Sequence, residues 1–173
     1  MFVLIIFIFL GFPHDDIKVT LPDGAVKDGK AFETSPYDIA KGISNGLAKA
    51  IVVAKVKYVK RVATLDEGLL NPEAEEGVSE DDQWFYWDVN RPLEGSCDMK
   101  LFKFEDKEGR ETFWHSSAHV LGETLEQEFG VHLCVGPPTE EGFFYDSYTG
   151  KDIFNETHYK AIEKASMKIV ESK

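Results

Sequence analysis

The chain is poor in the residues that would place it outside the reducing cytosol. It has two cysteines, Cys97 and Cys134, and neither lies in a CxxC pair. That excludes a disulfide framework and a zinc knuckle and leaves a reducing compartment as the simpler reading. Positive charge is scarce: 19 Lys and Arg stand against 31 Asp and Glu, a formal net charge of −12. A protein that coats nucleic acid along its whole surface is thereby excluded, because phosphate attracts clustered Lys and Arg. A local RNA contact is not. Long apolar runs are lacking too. Met1 to Phe12 is almost wholly apolar, but a bilayer needs roughly 20 such residues. The stretch has the apolar centre of a signal peptide without a basic start or a small-x-small cleavage site, and it is set aside from the fold. No internal repeat is found.

What remains is an ordinary soluble composition, with 43% apolar and 29% charged residues and thirteen Phe for a core, in 173 residues. That length makes one medium domain or two small ones. Ile17-Lys18-Val19-Thr20-Leu21 alternates as a half-buried strand. Pro22-Asp23-Gly24 predicts a turn, with Ala25-Val26-Lys27 returning as the second arm of a hairpin. Ser35 is placed to cap a helix that begins at Pro36, with Asp38 in its first turn and Ile39, Ile43 and Leu47 on its buried face. Gly42 and Gly46 make that helix dependent on packing. Ile51 to Val59 reads as a strand, Arg91-Pro92-Leu93-Glu94-Gly95 as a turn, and Met99 to Phe104 as another strand. One helix packed on one face of a small mixed sheet is the expected result.

Residues 61–88 interrupt this order. They hold nine acidic residues and a single basic one, Arg61. A run that repels itself predicts a solvated loop, or else an acidic partner-binding loop. Trp84-Phe85-Tyr86-Trp87 closes it and is expected to bring the chain back to the sheet. Lys55, Lys57, Lys60 and Arg61 alternate on the third strand, either as a solvated face or as a local RNA contact.

A second helix is predicted from Glu111. Trp114, Ala118, Leu121, Leu125 and Phe129 form its apolar stripe, and Gly130 its end. A strand follows over Val131 to Val135 and is broken by Gly136-Pro137-Pro138. Gly142-Phe143-Phe144-Tyr145-Asp146 reads as an aromatic strand or loop. Glu156 to Ser172 reads as a surface helix anchored by Tyr159, Ile162, Met167 and Ile169. His115 and His119 lie four residues apart on the second helix and so share one face beside the stripe. Gly122 and Glu126 continue that face, with Gly122 leaving space for a ligand above the imidazoles. Such a pair can be structural, can bind a metal, or can do acid–base work near neutral pH. The zinc-protease form needs Glu after the first His, and Ser116 stands there. His132 and Cys134, facing one way in a strand, are possible further metal ligands, and His115, His119 and Cys134 form the weaker metal-site reading.

Ile17 to Gly24, the Ser35-Pro36 helix start and Arg91 to Gly95 resemble the TGS domain, a ubiquitin-like β-grasp module. Phe113-Trp114-His115-Ser116-Ser117-Ala118-His119, then Gly136-Pro137-Pro138 and Gly142-Phe143-Phe144-Tyr145-Asp146, resemble the start of the editing domain of eukaryotic threonyl-tRNA synthetases. The resemblance implies an α+β chain: an apolar extension over 1–14, a TGS β-grasp domain over 15–106 with its acidic insertion at about 61–88, and part of a tRNA-editing domain over 107–173. It implies an N-terminal portion of a threonine-tRNA ligase, with tRNA as partner, a homodimeric parent, no membrane, and a cytoplasmic location, or a mitochondrial or other organellar one. His115 and His119 are implied as catalytic residues, with Gly122, Tyr145 and Asp146 binding the substrate. No cofactor is implied for this stretch; ATP, magnesium and zinc belong to the parent's catalytic core. The family's CxxxH element does not occur between His119 and Lys173, and no class II core or anticodon-binding domain is found. The chain by itself is therefore expected to make no threonyl-tRNA and to hydrolyse little. The rival expectation is a non-catalytic module that holds tRNA or a protein through its β-grasp face.

Overall fold

Pro22-Asp23-Gly24 makes the first reversal of the chain. Gly24 adopts φ +83°, which a Cβ would strain. Its N–H donates to the Leu21 carbonyl, and the Asp23 carboxylate accepts from the Ala25 N–H. The reversal joins β1 (Asp16–Thr20) to β2 (Val26–Lys30), paired antiparallel from Asp16–Lys30 to Thr20–Val26. A computed structural model describes residues 13–62, 83–139, 141–150 and 154–172. The apolar start and most of the acidic run lie outside the described residues. The chain divides into two compact units, Met1–Gly109 and Arg110–Lys173.

In the first unit, α1 (Pro36–Ile43) begins as the sequence predicts. The Ser35 hydroxyl accepts from the Asp38 N–H, and the Asp38 carboxylate accepts from the Ser35 N–H. This capping box satisfies two N–H groups that a helix start leaves without partners. The predicted single helix through Leu47 is, however, two. Ser44 is extended (φ −162°), ends α1, and its hydroxyl then caps α2 (Asn45–Ala50) by accepting from the Leu47 N–H. The break turns Ile43 outward to 43% exposure, while Ile39 stays buried. Spacing across a helix says nothing once a serine in its middle serves as a cap.

β3 (Ile51–Arg61) and β5 (Gly95–Lys103) pair antiparallel, and β5 pairs parallel with β1. β5 begins four residues before the predicted Met99, and Phe104 falls beyond it, exposed. β4 (Phe85–Trp87) pairs with the outer side of β3, so the aromatic run does return the chain to the sheet. The order β2-β1-β5-β3-β4 is a mixed five-stranded sheet, in agreement with the β-grasp expectation. Register explains the core: Val56 faces Met99, Tyr58 faces Cys97, and Cys97 faces Val19, all buried. Ile39 of α1 packs on this layer, and Ala40, Ala48 and Ile51 form a second cluster beside it.

In the second unit, α3 (Lys107–Phe129), which starts in the last residues of the first, carries the predicted stripe. Ala118 and Leu125 are buried, and Trp114, Leu121 and Phe129 are half-buried. Gly130 (φ +62°) ends it. The predicted strand over 131–135 shrinks to β6 (His132–Leu133), paired with β9 (Ser147–Tyr148), and β7 (Pro138–Thr139) pairs with β8 (Gly142–Phe143). On α4 (Glu156–Glu171), Ala165 and Ile169 are the buried residues. Tyr159 and Met167, expected as anchors, are 61% and 54% exposed. Met167 lies two residues from each of them and so points to the other side of the helix. The Thr124 hydroxyl, fully buried, joins α3 to Ser166 of α4 at 3.0 Å. No described helix is long and apolar enough to cross a membrane.

Candidate functional site

α3 places His115 and His119 one turn apart on its exposed side. Their rings meet edge to face, with centroids 4.7 Å apart and the two Nε2 atoms 3.0 Å apart. One Nε2 must carry the proton and the other must accept it, so the pair shares one hydrogen. When both rings are neutral, the donor ring keeps a bare Nδ1 and the acceptor ring an Nδ1–H. The pair thus offers a base and an acid together on a surface that water reaches.

Gly122 lies one turn further along. The space above it, expected to be open to a ligand, is taken by the Tyr145 ring: a Cβ at Gly122 would come within 2.7 Å of Tyr145 Cε2 and 3.3 Å of Leu133 Cδ1. Gly136 approaches the same ring, along Cε2, Cδ2 and Cγ, more closely still. The ring lies against two glycines. Gly136, expected as a strand breaker and as part of the editing-domain resemblance, also leaves room for this ring, a second use that its place in the sequence does not disclose. Asp146 is exposed and is fixed by its backbone, whose N–H donates to the Val135 carbonyl (2.7 Å) and whose carbonyl accepts from the Cys134 N–H (2.9 Å). The structure therefore brings His115 to His119 and Tyr145 to Gly122, and holds Asp146 directly after Tyr145.

The metal reading fails among the described residues, where no three His, Cys, Asp or Glu side chains are grouped to hold an ion. The His132 ring stacks on Tyr148 instead. The expected cationic face is also altered. Lys55 Nζ lies 3.3 Å from Glu108 Oε1 and 4.5 Å from the centre of the Tyr86 ring. Arg61 stacks on Tyr58 at 4.4 Å, with its guanidinium 3.9 Å from the buried Glu94 carboxylate. Arg91 donates to the same carboxylate at 2.8 Å and stacks on Trp87. Arg61 and Arg91 thus hold a buried acid, which local sequence does not reveal.

Residues 17–103 match the TGS domain family. They span the whole five-stranded sheet from Ile17 onward.

The chain belongs to the TGS-domain family.

Relatives of this TGS-domain chain are named as threonine-tRNA ligases. It is 46% identical over 158 residues to threonine-tRNA ligase, mitochondrial 1, of Arabidopsis thaliana, covering 90% of this chain and 19% of that protein. It is 47% identical over 155 residues to the probable threonine-tRNA ligase, cytoplasmic, of the same plant, covering 87% of this chain and 28% of that protein. To threonine-tRNA ligase 1, cytoplasmic, of Homo sapiens it is 40% identical over 157 residues, 91% of this chain and 18% of that protein. Alignments of this length outrun the 109 residues of the first unit, so the likeness extends into the unit that holds His115 and His119. The chain spans between about a fifth and just over a quarter of these curated relatives.

Proposed function

We propose that this chain is part of a threonine-tRNA ligase, an aminoacyl-tRNA synthetase acting in translation, and that the exposed face of α3 serves hydrolytic editing of seryl-tRNA. Serine differs from threonine by one methyl group, and a binding pocket rejects so small a difference only weakly, so a second, hydrolytic site is needed. The observation that carries the reading is the His119 Nε2 to His115 Nε2 contact of 3.0 Å on a solvent-open helix face. In hydrolysis, water attacks the carbonyl carbon of the seryl ester. The bare nitrogen of the pair takes the water's proton as the new C–O bond forms. The bond to the ribose oxygen then breaks, and that oxygen recovers a proton from the imidazolium. Tyr145, seated on Gly122 and Gly136, and Asp146 would hold the adenosine end or the serine itself. The partner on this reading is tRNA, the parent is a homodimer, and ATP, magnesium and zinc serve only its synthetic core. The compartment on this reading is the cytoplasm, or a mitochondrion or other organelle.

Seryl-tRNA deacylation by the chain tests this. A small acceleration over buffer is expected, lost in His115→Ala and in His119→Ala, with threonyl-tRNA spared. Equal rates with and without protein, or equal rates for wild type and His115→Ala, would overturn it.

A further inference from the structure

One face of the β-grasp sheet is covered by α1 and α2. On the other, the described residues place Glu108, from the first turn of α3, against Lys55, and between β5, β3 and β4 this face interleaves lysines with aromatic rings. The register sets Tyr86, Lys55 and Lys100 in one cross-strand row. Lys100 Nζ lies 4.2 Å from the centre of the Trp84 ring, and Lys55 Nζ lies 4.5 Å from that of Tyr86. Lys57 follows Lys55 on the same face. Two carboxylates temper this charge: Glu108, 3.3 Å from Lys55, and Asp98, which faces Lys57 in the register. Lys100 has no carboxylate at ion-pair distance among the described residues. The acidity of the whole chain is also not seated here. Residues 13–62 and 83–109 hold thirteen Lys and Arg against twelve Asp and Glu, so the net −12 comes from elsewhere.

We propose that this face binds unpaired nucleotides of an RNA, with bases stacked on Trp84 and Tyr86 and phosphates at the ammonium groups of Lys55, Lys57 and Lys100. Trp84 stands just before β4 and Tyr86 within it, two residues apart, which lets the two rings meet neighbouring bases of one extended strand. Tyr86 is 55% exposed, and what lies on its ring is a charge rather than an apolar group. A base that takes the ring face displaces the ammonium sideways to its own phosphate. The exchange replaces one cation–π contact by a stack and an ion pair. An acidic peptide would use the lysines and leave the rings wet, whereas RNA uses both. The inference does not depend on the editing reading, since no ester and neither histidine takes part.

Fluorescence anisotropy of a short, labelled, unstructured RNA with the full chain is the test. With about 0.7 counterions released per phosphate on a single strand, three lysines predict a slope near −2 in log K against log salt. Tyr86→Ala and Trp84→Ala should each weaken binding about tenfold, Tyr86→Phe should retain it, and Lys27→Ala, on the far edge strand, should leave it unchanged. Circular dichroism of each variant checks that it folds. The proposal is overturned by absence of binding at about 50 mM salt, by a duplex of the same sequence binding as tightly, or by Tyr86→Ala binding as wild type does. If polyglutamate binds the face and Tyr86→Ala does not weaken it, the partner is an acidic protein and the RNA proposal fails.

Discussion

Gly122 lies in the interior of α3, where alanine is normally the better helix former by about 1 kcal/mol. Propensity alone therefore predicts that Gly122→Ala stabilises the protein. The structure predicts the reverse. The new methyl would stand 2.7 and 2.9 Å from Tyr145 Cε2 and Cζ, well inside van der Waals contact. A ring at the end of a side chain can often move aside, but Gly136 stands close against this one as well. Forcing a methyl into a filled core site costs roughly 1–3 kcal/mol. Set against the gain of about 1 kcal/mol in propensity, the net change is destabilising, by up to about 2 kcal/mol. Gly42→Ala is the internal control. It lies near the end of α1 with nothing within 4 Å of a Cβ, so it keeps the propensity gain, and its unit should melt higher, at about 4–8 °C per kcal/mol for a domain of this size. Thermal melts of the two variants, with the Tyr145 ring signals followed by NMR, check both. If Gly122→Ala raises the melting temperature as Gly42→Ala does, or leaves the Tyr145 signals in place, the seating of Tyr145 on Gly122 is wrong.

Glu94→Ala removes a carboxylate that is 1% exposed and leaves the guanidiniums of Arg61 and Arg91 without it. Since both keep some contact with solvent, the loss should fall at the lower end of the roughly 3–5 kcal/mol seen when one partner of a buried pair is removed, read by urea unfolding; a change below about 1 kcal/mol would count against the buried clamp. Ser35→Ala breaks the capping box of α1 and should cost about 1 kcal/mol in the same assay. Burial pushes the Cys97 thiol up to about 12 from 9.0, while Cys134 is exposed. A thiol reagent at mild pH should therefore modify Cys134 in the native chain and Cys97 only after denaturation. The same shift sets a pH dependence. Above pH 9 the unfolded chain loses the Cys97 proton and the folded chain keeps it, so stability should fall by about 1.4 kcal/mol per pH unit between 9 and 12. Burial also raises Tyr58, which steepens the fall once unfolded tyrosine begins to ionise. A flat profile from pH 8 to 11 would contradict the burial of both.

Much of the first unit was legible because its signals are local. Pro22-Asp23-Gly24 fixes a turn within three residues, and Ser35, Pro36 and Asp38 fix a helix start within four. Alternation placed β1, and a β-branched run placed β3. The misreadings arose where one residue has two uses or a partner lies far away. Ser44 ends one helix and caps the next, which no spacing of Ile39, Ile43 and Leu47 discloses. β5 begins inside what reads as a turn, because Leu93 is held by backbone hydrogen bonds with Phe32 and Thr34, and Glu94 by Arg61 and Arg91. The lysine alternation was visible, but Glu108, 53 residues from Lys55, was not its obvious partner. At the candidate site the histidine spacing was plain from sequence. The seat of Tyr145 was not, because it depends on Gly122 and Gly136, which stand 14 residues apart and meet only through the ring.

The proposed editing role requires His115 and His119 to form one proton-sharing pair that meets the seryl end of a mischarged tRNA. Nitrogen and proton NMR of the two imidazoles, with and without a non-hydrolysable seryl-adenosine amide, addresses it directly. In the free chain one Nε2–H shared between the rings is expected. On adding the seryl analogue, both imidazoles and the Tyr145 ring should shift together, and much less with the threonyl analogue. Imidazoles that show no shared Nε2–H and stay unmoved by either analogue would contradict it.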